Sequence, residues 1–217
     1  MRRVLATIAI GEHVAVHAIT GPRMEEYARL IDAEYMVISE TSQQLPHYAK
    51  FDLLSRVVAE GFDKLLYVDA DIYIRQQAPN IFDHYTSAAF SEIPHPRPER
   101  VSKPVTWIRQ NLVPDWPPDR YFNTGVMVVA GDELRNLAAI TANTTPVPGI
   151  FYEQDQLNAL MRDVNFPQQR LDQRWNQFCG CGWITPEKAA AAYFLHCTGE
   201  YGERRVRLTK RYAKDFP

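Results

Sequence analysis

The chain has little cysteine: Cys179, Cys181 and Cys197 are the only three in 217 residues. An odd count with a Cys-Gly-Cys spacing makes neither a disulfide framework nor a paired Cys-x-x-Cys zinc site, which leaves reduced, mostly structural thiols. Excess charge of one sign is also lacking. The 24 Lys and Arg against 26 Asp and Glu give a net charge of -2, and the bases are spread rather than massed, so nucleic acid is not an expected partner. No apolar run approaches the ~20 residues of a membrane span. Met1-Arg2-Arg3 leads into an apolar segment, residues 4–10, too short and strand-like for a secretory leader. The expectation is a soluble, cytoplasmic chain with no transmembrane segment. Asn143-Thr144-Thr145 matches a glycosylation sequon, which has meaning only in a secreted chain. Internal repeats are absent, and 46% hydrophobic with 23% charged residues gives no sign of disorder. At this length one domain with a sizeable core is the simplest organisation.

What the chain does have is the run Lys64-Leu65-Leu66-Tyr67-Val68-Asp69-Ala70-Asp71-Ile72-Tyr73-Ile74. An uninterrupted apolar run bounded by polar residues reads as a buried strand of a covered sheet. The two carboxylates then emerge where the strand leaves the core, the edge at which open α/β sheets place ligands. Two hard oxygen donors one residue apart reach one divalent cation and leave its other positions to water and phosphate oxygens, as Mg²⁺ or Mn²⁺ requires on a nucleotide. A lone Asp-x-Asp is more often a solvated turn at a strand end; the rest of the chain gives this one its weight.

The hydrophobic periodicity predicts a strand over residues 4–10 ending at Gly11-Glu12-His13, a helix over 23–33 and a strand over 35–39. A second helix is expected over 46–60, with Pro46 in its first turn, Gly61 past its end, and Phe51, Leu54, Val57 and Val58 facing the sheet. After Ile74 come a helical turn at 80–84 and a strand at 88–93. Residues 94–119 hold seven of the 15 prolines, which rules out one regular element. A helix over 101–112 presenting Trp107 fits inside this stretch, which is the candidate lid over a site. Then follow a strand opening Tyr121-Phe122-Asn123-Thr124-Gly125 and helices over 132–142 and 153–163. The basic run Glu203-Arg204-Arg205-Val206-Arg207, with Lys210 and Arg211, reads as a solvated helix face or as a contact for phosphate.

Six short pieces occur in a telling order: Tyr48-Ala49-Lys50, Leu66-Tyr67-Val68-Asp69-Ala70-Asp71, Tyr121-Phe122-Asn123-Thr124-Gly125-Val126, Gln154-Asp155-Gln156-Leu157-Asn158, Arg174-Trp175-Asn176 and His196-Cys197-Thr198-Gly199. Each is weak alone; in series they cover nearly the whole chain. In them the chain resembles family 8 glycosyltransferases of the GT-A fold, the group of glycogenin and the bacterial lipopolysaccharide galactosyl- and glucosyltransferases. The resemblance implies an α/β fold: a single GT-A, Rossmann-like nucleotide-sugar-binding domain with a mixed, mostly parallel central sheet flanked by helices. It implies Asp69, Asp71 and His196 as ligands of Mn²⁺ or Mg²⁺, and Lys50, Ala70, Asn123 and Gly199 as contacts of a UDP-sugar donor. Carboxylates and imidazole suit Mn²⁺. Gln154 and Glu153 are the implied catalytic residues at the start of the helix closing over the donor, with Glu153 standing where the family has Asp. The implied activity is metal-dependent, retaining transfer of glucose or galactose to a hydroxyl of a saccharide, lipid-linked saccharide or protein.

Two departures from the family stand out. Relatives continue from the histidine to a Lys-Pro-Trp whose lysine holds the pyrophosphate, whereas Gly199 here is followed by Glu200-Tyr201-Gly202-Glu203. Arg204, Arg205, Arg97 and Arg100 are the candidate replacements, since a planar guanidinium pairs well with phosphate oxygens. The first strand also ends in Gly11-Glu12-His13 rather than in the Asp/Asn-containing segment that relatives use near the nucleoside. The missing lysine leaves open a nucleotide-sugar-binding scaffold with weak or no turnover. An aspartate-based phosphatase is disfavoured by Tyr73 and by the mid-chain position of the motif.

Overall fold

The computed structural model describes residues 1–86, 88–92, 98–116, 121–163, 169–180 and 184–217. The expected strand end at Ile93, both ends of the proline-rich stretch, Arg97 and Cys181 fall outside these, as does the side chain of Arg100.

The apolar run forms β3 (Lys64–Val68), buried along its whole length. Its side chains alternate between two cores. Leu65 and Tyr67 pack with Phe51, Leu54 and Val57 of α2 (Ala49–Ala59) and with Leu134 and Leu137 of α5 (Gly131–Ala142). Leu66 and Val68 face the opposite layer, with Met24, Tyr27 and Ala28 of α1 (His13–Leu30). β3 lies in a six-stranded sheet between β1 (Arg3–Ile8) and β6 (Phe122–Ala130), with β2 (Glu34–Ile38) outside β1 and with β5 (Ala89–Glu92) and β7 (Gln169–Arg170) beyond β6. The β1–β2, β1–β3 and β5–β7 pairs are parallel, and β6 runs antiparallel to both neighbours. This is the expected mixed sheet flanked by helices.

The reversal of β6 positions the site. Val68 is in register with Val126, so the polar start of β6 lies beside the carboxyl end of β3. The Asp69 amide donates to the Gly125 carbonyl at 2.8 Å. The chain then turns at residues 69–71 into β4 (Ile72–Ile74), the edge of a second, three-stranded sheet completed by β9 (Phe194–His196) and β8 (Gln177–Phe178). The Asp-x-Asp is therefore the hinge between two sheets, and the Ile72↔His196 register brings the histidine to it.

α1 departs from expectation: it begins at His13, ten residues before the predicted start, and carries Pro22 inside it. Gly21-Pro22 reads as a break, but Pro22 lies on the exposed face, where the carbonyl it leaves unbonded meets water. The early half matters to the site, because Thr20 donates to the Ala70 carbonyl at 2.7 Å. In the proline-rich stretch α4 (Pro98–Asn111) starts three residues early, on a proline suited to a first turn. It packs through Val105 and Ile108 on Trp116, Tyr121 and Ala159, the last of these on α6 (Glu153–Asp163). α3 (Ile81–His84) is the expected helical turn, α5 and α6 lie within a residue of their expected bounds, and α7 (Pro186–Ala191) is an additional short helix. The second helix divides into a 3-10 turn, Pro46–Tyr48, and α2.

Candidate active site

A cavity of about 620 Å³ opens at the carboxyl edge of β1 and β3, a size within the usual range for small-molecule sites. It is lined by Lys50, Asp69, Ala70, Asp71, Asn123, Glu153, Gln154, His196 and Gly199, so all nine residues singled out in the sequence meet there. Among the described residues α4 supplies none of the lining. Ile150, Phe151 and Tyr152 from the turn before α6, and Tyr201, form much of the exposed rim instead.

On one wall His196 Nε2 stands 3.2 Å from Asp71 Oδ1 and 3.8 Å from Asp69 Oδ2. One ligand atom from each of the three residues lies within 4.8 Å of the others. The orientation of the imidazole follows from a chain of amides. The Gly125 amide donates to Asn123 Oδ1 at 2.9 Å, and Asn176 Nδ2 donates to the same oxygen at 2.8 Å. Asn176 Oδ1 is therefore an acceptor, and it lies 2.8 Å from His196 Nδ1. An imidazole that ligates a metal through Nε2 carries its proton on Nδ1, and the Asn176 carbonyl is placed to accept that proton. Asn123 Nδ2 donates to Gln154 Oε1 at 2.8 Å, the Thr124 amide donates to that oxygen at 3.2 Å, and Gln154 Nε2 donates to Tyr121 Oη at 2.9 Å. A Cβ on Gly125 would lie 2.5 Å from His196 Cε1 and 2.9 Å from Asp69 Oδ2, so only glycine fits that position.

This donor set suits a hard divalent cation. Ligand atoms at right angles about 2.1 Å from an ion lie about 3.0 Å apart, close to the spacing of the Asp71 and His196 atoms. Tyr67 Oη donates to Asp69 Oδ1 at 2.6 Å, which leaves Oδ2 for the shared centre. Burial raises the Tyr67 phenol well above its ordinary range, so it remains a donor. Asp71 is pulled upward by burial, but the positive neighbourhood of His196, Arg205 and His13 outweighs this and holds it below the usual carboxylate range. An ionised ligand results.

The opposite wall is an ion-paired cluster. Lys50 is buried and donates to Glu153 Oε1 at 2.9 Å and to Thr124 Oγ1 at 3.0 Å, with its ammonium 4.4 Å from the centre of the Tyr67 ring. It stands 3.6 Å from Asp69 Oδ1. Burial lowers a lysine, but the Asp69 and Glu153 carboxylates raise this one above its ordinary value. Next to this pair the rings of His47 and Tyr152 stack with centroids 4.0 Å apart, and Tyr152 has the positive φ of 49° that side chains rarely adopt.

Among the four candidate phosphate-binding arginines, Arg204 is exposed on α8 (Gly202–Asp215), while Arg205 is buried and lines the cavity. Tyr67, Thr124, Asn176 and Tyr121 stand in the quoted motifs but had no role assigned to them. Tyr67 had a signal, since it shares a strand face with Asp69 two positions on. Asn176 was marked by its motif, but not its role: its partner lies 20 residues away on a neighbouring strand.

No family model matches the chain. Galactinol synthase 5 of Arabidopsis thaliana is 28% identical over an alignment 143 positions long, gaps included, that covers 58% of this chain and 40% of that relative's length. Among solved structures, the crystal structure of a glycosyltransferase involved in the glycosylation of the major capsid of PBCV-1 aligns with a TM-score of 0.66 at 17% identity, covering 97% of this chain and 100% of that one. The fold is thus GT-A-like, and the resemblance to family 8 glycosyltransferases read from the motifs agrees with both likenesses. No helix among the described residues is long and apolar enough to cross a membrane.

Proposed function

We propose that the chain is a metal-dependent, retaining hexosyltransferase that moves glucose or galactose from a UDP-sugar to an acceptor hydroxyl. The observation that carries this reading is the convergence of Asp69 Oδ2, Asp71 Oδ1 and an oriented His196 Nε2 on one point of a nucleotide-sized cavity. Its likeness to a galactinol synthase and its glycosyltransferase fold support the same reaction class.

The reaction breaks the bond from the anomeric carbon to the diphosphate, forms a bond from that carbon to the acceptor oxygen, and releases the acceptor proton. A divalent ion on the three ligands would act as a Lewis acid on the leaving diphosphate. The chain's own residues hold and orient. Glu153 presents a charged acceptor to a sugar hydroxyl, and Lys50 fixes its position. The Gln154 carbonyl is engaged by Asn123 and the Thr124 amide, so its part is to aim the Asn123 amide at the donor sugar; Gln154 is then a positioning residue rather than a nucleophile. The test is turnover of UDP-glucose and UDP-galactose with Mn²⁺, with and without saccharide acceptors. Hydrolysis or transfer lost in EDTA supports the reading; tight binding with no turnover points to a scaffold.

A further inference from the structure

We propose that Arg205 is a switching counter-ion: it neutralises Asp71 in the empty site, and turns to the donor's diphosphate once a metal ion takes over that carboxylate. The inference rests on the donor reading above. Asp71 is used from both sides, with Oδ1 facing His196 at 3.2 Å and Oδ2 lying 3.6 Å from Arg205 Nε. An ion bound to Oδ1 would share this carboxylate with the guanidinium. The arginine is buried and held at two of its nitrogens: Nε donates to the Glu200 carbonyl at 2.7 Å, and Nη1 lies 3.4 Å from His13 Nδ1. Its Tyr201 neighbour holds a ring 5.4 Å from the guanidinium carbon.

The charges around it are incompletely matched. Glu12 stands 3.8 Å from Nη1 and Asp71 3.6 Å from Nε, both beyond hydrogen-bond reach, and Nη2 finds no acceptor among the described residues. A guanidinium that lines the cavity with its Nη2 donors unfilled is suited to an oxyanion such as a diphosphate. Lys50 is not available for this task, since Glu153 and Thr124 hold it at direct hydrogen-bond distances.

The experiment is calorimetry with MnCl₂ alone, then with UDP and with uridine at saturating Mn²⁺, on wild type, Arg205→Gln and Arg205→Lys. Removing a cation beside Asp71 should tighten binding of bare Mn²⁺ about threefold in Arg205→Gln. The same variant should bind UDP about tenfold more weakly, since a charged hydrogen bond is lost, and uridine as wild type does. Arg205→Lys keeps the charge, so Mn²⁺ binding should match wild type while UDP binding falls part of the way. If Arg205→Gln does not fold, the lysine variant decides: unaltered UDP affinity there overturns the proposal. So does an Arg205→Gln protein that binds UDP as wild type does, or one that loses Mn²⁺ and UDP together, as mere support of Asp71 would produce. Wild type that binds no nucleoside diphosphate in Mn²⁺ defeats the donor reading itself, an outcome seen without any variant.

Discussion

The two walls of the cavity hold their charges in opposite ways. On the α2–α6 wall, Lys50 and Glu153 meet at 2.9 Å, with Thr124 satisfying a further donor position. On the opposite wall the pairs are looser: Asp71 lies 3.2 Å from His196 Nε2 and 3.6 Å from Arg205 Nε, and the half-exposed Glu12 lies 3.8 Å from Arg205 Nη1. Charges that satisfy each other build structure; buried charges left short of a partner are kept for a ligand. The difference separates the wall that positions from the wall that binds.

The largest effect should come from breaking the paired wall. Lys50→Met leaves the partly buried Glu153 carboxylate unpaired, so unfolding free energy in urea should fall by about 2–3 kcal/mol, and adding Glu153→Gln should restore much of it. A loss below about 1 kcal/mol in the single variant would show that the pair is not structural. Next, Gln154→Ala removes the acceptor that fixes Asn123, and steady-state kinetics should show kcat lower by on the order of 10²-fold with a much smaller change in donor affinity. An unchanged kcat would remove Gln154 from the mechanism. On the binding wall, Asn176→Leu frees the histidine tautomer, and Mn²⁺ affinity measured by calorimetry should fall about 10- to 100-fold.

How much of this was legible in sequence differs by element. β3, β6, α5 and α6 were readable because long runs of one period bury one or both faces, and motifs on or just after β3, β6 and α6 carried Asp69, Ala70, Asp71, Asn123, Glu153 and Gln154. Lys50 held an unread signal: with Leu53, Leu54 and Val57 it falls on the apolar stripe of α2, which marks a buried lysine rather than a solvated one. The start of α1 was hidden because Gly-Pro ordinarily ends a helix, and only the solvent-facing position of Pro22 removes the conflict. The small second sheet was hidden for another reason. Its strands have two or three residues each, too short for any period, and Gly180 lets one of them approach the other's extension so closely that a Cβ would overlap the Thr198 carbonyl.

The smallest expected effect lies outside both walls, in the loop that leads to the 3-10 turn. Asp52 accepts from Thr41, Ser42 and Gln43; burial raises this carboxyl, and those hydrogen bonds outweigh it to lower it below its ordinary 3.8. A lowered native value means that its stabilising contribution is complete above the ordinary value and is lost as pH falls through the lowered one. Asp52→Asn should therefore flatten the acid limb of Tm against pH by an amount worth no more than about 1 kcal/mol, and leave the profile above pH ~5 parallel to wild type. A steeper acid limb would contradict the sign.

Thermal shift with UDP-glucose and UDP-galactose, each in Mn²⁺ and in EDTA, on wild type, Asp69→Asn, Asp71→Asn and His196→Ala tests the central claim most directly. The predicted result is stabilisation of wild type by a UDP-hexose in Mn²⁺ alone, lost in all three folded variants. Stabilisation that persists in EDTA or in either Asp variant would contradict it.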